Sequence, residues 1–140
     1  MVKVLVNGCF DLLHLGHVKL LEFASQIPFC YVYVLIDSDQ RIVQLKGTGR
    51  PLYKDHERRY LLESLKYVDR VEIFHTDQDL INKIKEYKPD IMIKGSDYKG
   101  LPIIGSEYCK EILFYDRINE HSTTKTIQSI IDRRDLYGQI

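Results

Sequence analysis

The sequence has no surplus of charge of either sign. Its 20 lysine and arginine residues are balanced by 20 aspartate and glutamate residues, so the formal net charge at pH 7 is zero. Proteins that bind nucleic acids or anionic membranes without specificity use an excess of lysine and arginine. We therefore expect neither a nucleic acid nor a membrane as a partner, and any anion-binding site must be confined to a few residues.

Cysteines and long apolar runs are also scarce. The three cysteines, Cys9, Cys30 and Cys109, are odd in number and lack CxxC spacing, which disfavours a disulfide framework and a zinc ribbon. No stretch approaches the roughly 20 apolar residues of a membrane-spanning helix, and the first apolar run is too short for a secretion signal. These absences predict a cytoplasmic protein with reduced thiols.

Short apolar runs alternate with segments of helical periodicity along the 140 residues, a length that fits one domain, 1–140. The predicted strands are 2–6, 30–36, 70–75, 90–95 and 111–116; the predicted helices are 17–26, 56–68, 79–88 and 122–134, and 37–54 is a predicted loop. Strands separated by helices predict an α/β fold. We expect a single Rossmann-like domain with an open, mostly parallel five-stranded sheet and helices on both faces.

Polar clusters follow four of the predicted strands at the points where the strands end. In an open parallel sheet these ends share one edge, and ligands bind there. The clusters are His14 with His17, Asp37 with Asp39, residues 94–97 and residues 117–124. Their convergence predicts one functional site at that edge. The Asp-x-Asp pattern of residues 37–39 also occurs in metal-binding sites, so a metal there is an alternative.

Two histidines flank a glycine on the turn that leaves the first predicted strand, in NGCFDLLHLGH (7–17). His14 and His17 are three residues apart, so they share a face if they open a helix. Gly16 lets a ligand approach the backbone, and a helix N-terminus offers N–H groups and partial positive charge. This arrangement predicts a phosphate site. A purely structural histidine pair and a zinc site completed by Cys9 are the alternatives.

Three hydroxyl residues, Ser122, Thr123 and Thr124, open the last predicted helix. One hydroxyl is enough for an N-cap, so three in succession indicate a further use. Together with the N–H groups of the helix end, they would form a second anion site, suited to the β- and γ-phosphates of a nucleotide.

These motifs together resemble the nucleotidyltransferases that carry an HxGH motif, the cytidylyltransferase-like superfamily. The resemblance extends along nearly the whole chain, with the segments in the order and spacing of the family. They are GCFDLLHLGH (8–17), LKGTGRP (45–51), HERRYLLESLKYVD (56–69), IKGSDY (93–98) and HSTTKTI (121–127). Members of this family transfer a nucleoside monophosphate from an NTP to a phosphorylated alcohol or sugar and release pyrophosphate. The resemblance implies the same reaction here, with Mg²⁺ arriving on the NTP.

The resemblance implies catalytic roles for four residues. His14 and His17 would stabilise charge on the α-phosphate and on the bridging oxygen of the departing pyrophosphate. Lys46 would reach the NTP from a glycine-containing loop that closes over it, with Arg50 beside it, and Arg117 would add a further cation.

The resemblance also implies binding residues. Asp11 and Arg58 would contact the acceptor, whereas Arg59 would face solvent. Asp97 would touch the ribose or the base, and Tyr98 would pack against the ring. The implied nucleotide-binding residues are Gly8, Cys9, Phe10, Gly16, Asp97, Ser122, Thr123 and Thr124.

Two branches of the family share parts of this pattern. LKGTGRP and KGSDY resemble the adenylyltransferases that activate heptose 1-phosphate, whereas Arg117 and LLESLKYVD resemble glycerol-3-phosphate cytidylyltransferases. The chain departs from the RTEGISTT motif of the second branch at Asn119, Glu120 and His121. We expect a homodimer that transfers AMP to a heptose 1-phosphate-like sugar phosphate. Transfer of CMP to glycerol 3-phosphate is the alternative, and a non-catalytic nucleotide-binding regulator is the alternative of another class.

Overall fold

The computed structural model describes residues 1–117 and 122–138. The strands are β1 (Val2–Gly8), β2 (Cys30–Asp37), β3 (Arg70–Phe74), β4 (Ile91–Gly95) and β5 (Glu111–Tyr115). The helices are α1 (Leu15–Ser25), α2 (Asp39–Lys46), α3 (Asp55–Glu63), α4 (Asp77–Tyr87), α5 (Thr123–Asp132) and α6 (Arg134–Tyr137). Two short 3₁₀ turns, Ser96–Tyr98 and Ser106–Tyr108, lie between β4 and β5.

The five strands form one parallel sheet in the order β3-β2-β1-β4-β5. This confirms the predicted open α/β sheet. Strand order reverses between β1 and β4, and such a switch point leaves a crevice at the carboxyl ends of the strands. The segments that follow β1, β2 and β4 therefore meet there.

The core has two layers because alternate residues of each strand face opposite sides of the sheet. On one side, Leu21 and Ala24 of α1 and Leu62 of α3 pack on Val4 and Val6 of β1. On the other side, residues of α4 pack on the intervening strand positions. That second cluster comprises Leu5, Tyr33, Leu35, Phe74, Leu80, Ile84 and Met92. Helices thus cover both faces of the sheet, as predicted. No helix in the two described ranges is long and apolar enough to cross a membrane.

Helix α2 corrects the prediction of a loop over residues 37–54. The Ser38 hydroxyl caps its N-terminus by accepting from the Arg41 N–H at 3.2 Å, and Gly47 ends it with a φ of 92°. Ile42 is its only buried residue. A helix of eight residues with one buried side chain produces no hydrophobic stripe, so only its caps could have indicated it. Lys46 consequently ends a helix instead of lying inside a loop.

Other boundaries differ from prediction by a few residues. Helix α1 begins two residues early, at Leu15, because the His14 side chain caps it. Helix α3 ends at Glu63 instead of residue 68, and the predicted helix 122–134 is divided at Arg133.

Arg58 on α3 is fully buried, with 0% of its surface exposed. Its guanidinium donates to the carbonyl oxygens of Cys9 at 2.7 Å and Tyr53 at 3.0 Å, and to the carboxylate of Asp39 at 3.0 Å. It therefore ties together the loop after β1, the start of α2 and the segment before α3. Its neighbour Arg59 is exposed, as predicted, and pairs only with Glu63 on the same helix.

We predict that Arg58→Met lowers the free energy of unfolding by about 3 kcal/mol, because two buried carbonyl groups lose their donor and Asp39 loses its counterion. Arg59→Met is the matched control, and loss of its surface ion pair should cost less than about 1 kcal/mol. Urea unfolding followed by circular dichroism measures both values. Equal values for the two variants would show that the buried network does not stabilise the fold.

Candidate active site

A cavity of about 530 Å³ opens at the carboxyl ends of β1, β2 and β4. It lies at the switch point where the sequence predicted a site. The predicted site residues that line it are Gly8, Cys9, Phe10, Asp11, His14, Gly16, His17, Lys46, Arg117, Ser122, Thr123 and Thr124. The two that do not line it are Asp97 and Arg58. Most of the candidate residues are therefore brought together, although they come from four separate segments of the chain.

The two histidines form a fixed pair at the start of α1. The Nδ1 atom of His14 accepts a hydrogen bond from the Gly16 N–H at 3.0 Å, and Nδ1 of His17 accepts one from the His14 N–H at 3.2 Å. The rings stack with their centroids 3.7 Å apart. A neutral imidazole whose Nδ1 accepts a hydrogen bond carries its proton on Nε2. Capping the helix thus defines the tautomer of both rings and makes each Nε2–H a donor.

The pKa of His17 is lowered from 6.5 to about 3. Burial is the main cause, Coulomb interactions with His14, Arg117 and Lys46 lower the pKa further, and Asp11 opposes them. His17 is therefore neutral at physiological pH. The same effect shows that Lys46 and Arg117, which are far apart in sequence, both act on this one imidazole.

The loop between β1 and α1 packs against the ring of His17. Phe10 is buried and its ring lies 5.1 Å from that of His17, centroid to centroid. A Cβ atom on Gly8 would come within 3.2 Å of the Phe10 ring, so glycine makes room for this packing. Phe10 and Leu12 both have positive φ, 52° and 49°, a conformation that costs energy for non-glycine residues and is found at functional sites.

The Asp11 carboxylate is 3% exposed and accepts three backbone hydrogen bonds. They come from Leu12 at 3.1 Å, Leu52 at 2.8 Å and Tyr53 at 3.0 Å. Arg50 lies 3.7 Å away as a weak ion-pair partner. Its oxygens hold the loop between α2 and α3, and its contact with the acceptor stays a prediction.

Arg58, also predicted to bind the acceptor, lies outside the cavity. Its guanidinium is sealed among Cys9, Tyr53 and Asp39 as described above, so it cannot reach a ligand. Its role is to position the loop after β1. The sequence pattern could not distinguish this buried arginine from a ligand-binding one.

The three hydroxyls at the start of α5 have three different surroundings. Ser122 is an ordinary N-cap that accepts from the Lys125 N–H at 3.0 Å. The Thr123 hydroxyl is buried and donates to the Asp11 carbonyl oxygen at 2.5 Å, which fastens α5 to the loop after β1. Thr124 is exposed and lines the cavity. Capping thus accounts for one hydroxyl, and the helix N-terminus faces the cavity.

The charged residues at the end of β2 form ion pairs with other residues of the protein. Asp37 pairs with Arg41 at 2.8 Å, and Arg41 also pairs with Asp77 at 2.6 Å. The thiol of Cys9 donates to Asp37 at 3.5 Å, and burial raises the pKa of this thiol. The described ranges contain no group of three or more histidine, cysteine, aspartate or glutamate residues that could hold a metal.

Lys94 lines the cavity on the opposite flank of β1, and the sequence pattern predicted no individual role for it. Its ammonium donates to Asn7 at 3.2 Å and lies 4.4 Å from the centre of the Tyr98 ring, and burial lowers its pKa. Its position just before the glycine of IKGSDY was the available signal. Asn7 and Arg41 also line the cavity and were not predicted.

Arg117 and Asp97 form an ion pair of 3.4 Å at the edge of the cavity. A Cβ atom on Gly95 would collide with both side chains, so glycine is required for their approach. Because Asp97 faces Arg117, its predicted contact with ribose or base is not supported by its position. Asn119, Glu120 and His121, where the motif departs from the cytidylyltransferase branch, lie outside the described residues.

Comparison with known proteins gives matches of three kinds. A family model described as cytidylyltransferase-like matches residues 5–138. The bifunctional protein HldE of Campylobacter fetus is 42% identical over 91% of this chain, and that of Nitratiruptor is 44% identical over 89%. The chain spans only 27% of the length of either relative. A solved structure, the lipopolysaccharide core biosynthesis protein of Thermoplasma volcanium, superposes with a TM-score of 0.61 at 26% identity, covering 83% of this chain and 99% of that one.

We predict that in the ligand-free protein His17 is the Nε2–H tautomer and does not titrate between pH 5 and pH 8, because its pKa is about 3. Long-range ¹H–¹⁵N spectra report the protonation of each ring nitrogen, with the exposed His56 as a comparison in the same spectra. Since the unfolded chain binds this proton more readily, the His17 contribution to stability should be lost as pH falls from about 6.5 towards 3. A His17 midpoint near 6.5 would contradict the burial of this ring.

Proposed function

Because the chain belongs to the cytidylyltransferase-like family, we propose that it transfers a nucleoside monophosphate from an NTP to a small phosphorylated sugar, releasing pyrophosphate. The observation that carries this proposal is the cavity itself. In a chain of zero net charge, it gathers two stacked imidazoles and the cations Lys46 and Arg117 at the ends of the sheet strands. Such a concentration of donors suits a triphosphate.

The proposed reaction is an in-line substitution at the α-phosphorus. An oxygen of the acceptor phosphate attacks the α-phosphorus, and the bond from this atom to the oxygen bridging the α- and β-phosphates breaks. Pyrophosphate leaves with the electron pair of that bond. The acceptor phosphate is already an anion at neutral pH, so no strong general base is needed, and catalysis consists of positioning and charge stabilisation.

The histidine pair is suited to this substitution by its fixed tautomers. Both rings hold their Nδ1 atoms against the backbone, so Nε2–H is the side on which each ring can donate a hydrogen bond. The pKa of His17 is low, so this ring stabilises charge by hydrogen bonding without needing to ionise. A donor of this kind acts where negative charge grows in the transition state.

Lys46 and Arg117 supply the permanent charge beside these donors. Lys46 ends α2 just before Gly47, whose φ of 92° lets the chain turn away sharply, and it lines the cavity from the β2 side. Arg117 lines it from the β5 side. The two cations thus flank the imidazoles, and they suit the negative charge that grows around the α-phosphorus in the transition state.

Mg²⁺ belongs to the proposal as part of the nucleotide substrate. Asp37, a carboxylate that lines the cavity, is already paired with Arg41, and the carboxylate of Asp11 accepts three backbone N–H groups. These residues suit a metal that is held by phosphate oxygens and water. When bound, the ion neutralises charge on the triphosphate.

The nucleotide and acceptor are proposed as ATP and a heptose 1-phosphate-like sugar phosphate. This choice is supported by LKGTGRP and IKGSDY, and by similarity to HldE proteins and to a lipopolysaccharide core biosynthesis protein. CTP with glycerol 3-phosphate is the second candidate, favoured by the presence of Arg117 at the cavity. A homodimer in the cytoplasm is also proposed, from the family resemblance and the unpaired cysteines.

We predict pyrophosphate release with ATP and a heptose 1-phosphate, and at least about tenfold slower release with CTP, because a base pocket leaves donors unmatched when the wrong base enters. A coupled phosphate assay with each NTP against a panel of sugar and polyol phosphates measures this. His17→Ala should lower kcat on the order of 10²-fold, the scale for loss of one charge-stabilising donor.

The other outcomes of this panel separate the alternatives. Faster release with CTP and glycerol 3-phosphate would replace the adenylyl proposal by the second candidate. Nucleotide binding without release from any pair of substrates would identify a non-catalytic regulator. Full activity of His17→Ala would remove His17 from the mechanism.

A further inference from the structure

Among the cations that line the cavity, Arg50 carries a buried nitrogen donor that has no partner among the described residues. Arg41 donates to two aspartates, Lys94 donates to Asn7 and Arg117 faces Asp97. The Nε atom of Arg50, by contrast, is buried and has no hydrogen-bond partner in the described part of the chain. Buried donors are nearly always paired, and an unpaired one on a charged group is costly.

Asp11 does not satisfy this donor. The distance from Arg50 Nε to Asp11 Oδ2 is 3.7 Å, too long for a hydrogen bond. Both oxygens of Asp11 are engaged by the N–H groups of Leu12, Leu52 and Tyr53. The carboxylate keeps the guanidinium at the cavity wall by charge, and it leaves the Nε–H of Arg50 without an oxygen. An anion bound in the cavity would add the missing partner of this group.

We propose that this anion is the phosphate of the acceptor, and that Arg50 takes the role that the sequence resemblance implied for Arg58. Arg58 is sealed in the core, whereas Arg50, eight residues earlier, lines the cavity. A guanidinium offers parallel donors that match two oxygens of a phosphate. The proposal rests on the proposed function, since it names the residue that holds the second substrate.

The strand order places the residues that would bind the nucleotide and the acceptor on opposite sides of β1. Lys94 lies in β4, Tyr98 follows β4 and Arg117 follows β5, all on one side of β1. Arg50 lies between α2 and α3, which follow β2 on the other side. The histidine pair follows β1 between these two groups. A nucleotide that occupies the β4–β5 side presents its α-phosphate to the histidines, and Arg50 then faces it from the side left for the acceptor.

Binding measurements test Arg50 without requiring turnover. Titration calorimetry with glucose 1-phosphate, with inorganic phosphate and separately with ATP gives three dissociation constants for each protein. Arg50→Gln should weaken the binding of glucose 1-phosphate and inorganic phosphate at least about tenfold, and that of ATP less than about threefold, because only the acceptor phosphate loses charge-assisted hydrogen bonds. Arg59→Gln, an exposed arginine outside the cavity, should change none of them. Arg50→Lys, which keeps the charge but loses the Nε–H, should lie between Arg50→Gln and the unsubstituted protein.

A measurement on the unsubstituted protein covers the case in which Arg50→Gln does not fold. Arginine Nε–H signals are resolved in ¹H–¹⁵N spectra, and inorganic phosphate should shift the Arg50 signal while leaving that of Arg58 in place. An unshifted Arg50 signal would overturn the proposal. Equal weakening of ATP and glucose 1-phosphate in Arg50→Gln, or weakening of ATP alone, would also overturn it. Absence of pyrophosphate release would count against the proposed function. The dissociation constants for glucose 1-phosphate and inorganic phosphate would still decide whether Arg50 binds a phosphate.

Discussion

The Asp11 carboxylate accepts hydrogen bonds from the backbone N–H groups of Leu12, Leu52 and Tyr53. The backbone carbonyl oxygen of Asp11 accepts a further one from the Thr123 hydroxyl. Segments more than 100 residues apart are thereby fixed to the loop after β1. Because Asp11 is almost fully buried, these bonds form in a medium of low dielectric constant, where they are strong and expensive to break. These bonds fix the loop after β1, which forms part of the cavity wall.

The distribution of charge around this carboxylate explains how a neutral chain can favour a polyanion. Two of the acidic side chains at the cavity, Asp11 and Asp37, are engaged by N–H groups or by Arg41, and little of their charge is left to oppose a phosphate. Lys46 and Arg117 keep the pKa of His17 low, together with burial. The imidazole is therefore a donor without a charge, and the permanent cations supply the attraction.

Features that depend on neighbouring residues could be predicted from the sequence, whereas features that depend on contacts between distant residues could not. The strands were found because each is a local run of buried residues, and His14 with His17 because both belong to one turn. Helix α2 was missed because it buries only Ile42. Arg50 and Arg58 could not be told apart because both are basic residues near a helix start. Only the contacts of Arg58 with Cys9 and Asp39, far away in sequence, decide which one is buried.

The central claim is that the α-phosphorus, carrying its nucleoside, is the group transferred at the histidine pair. ATP labelled with radioactive phosphorus at either the α- or the γ-position, incubated with a heptose 1-phosphate and Mg²⁺, tests it directly. The account predicts that α-label appears in a sugar nucleotide and γ-label in pyrophosphate, in equal molar amounts. Appearance of γ-label on the sugar, with ADP as the other product, would contradict it, because the cavity would then be serving a kinase.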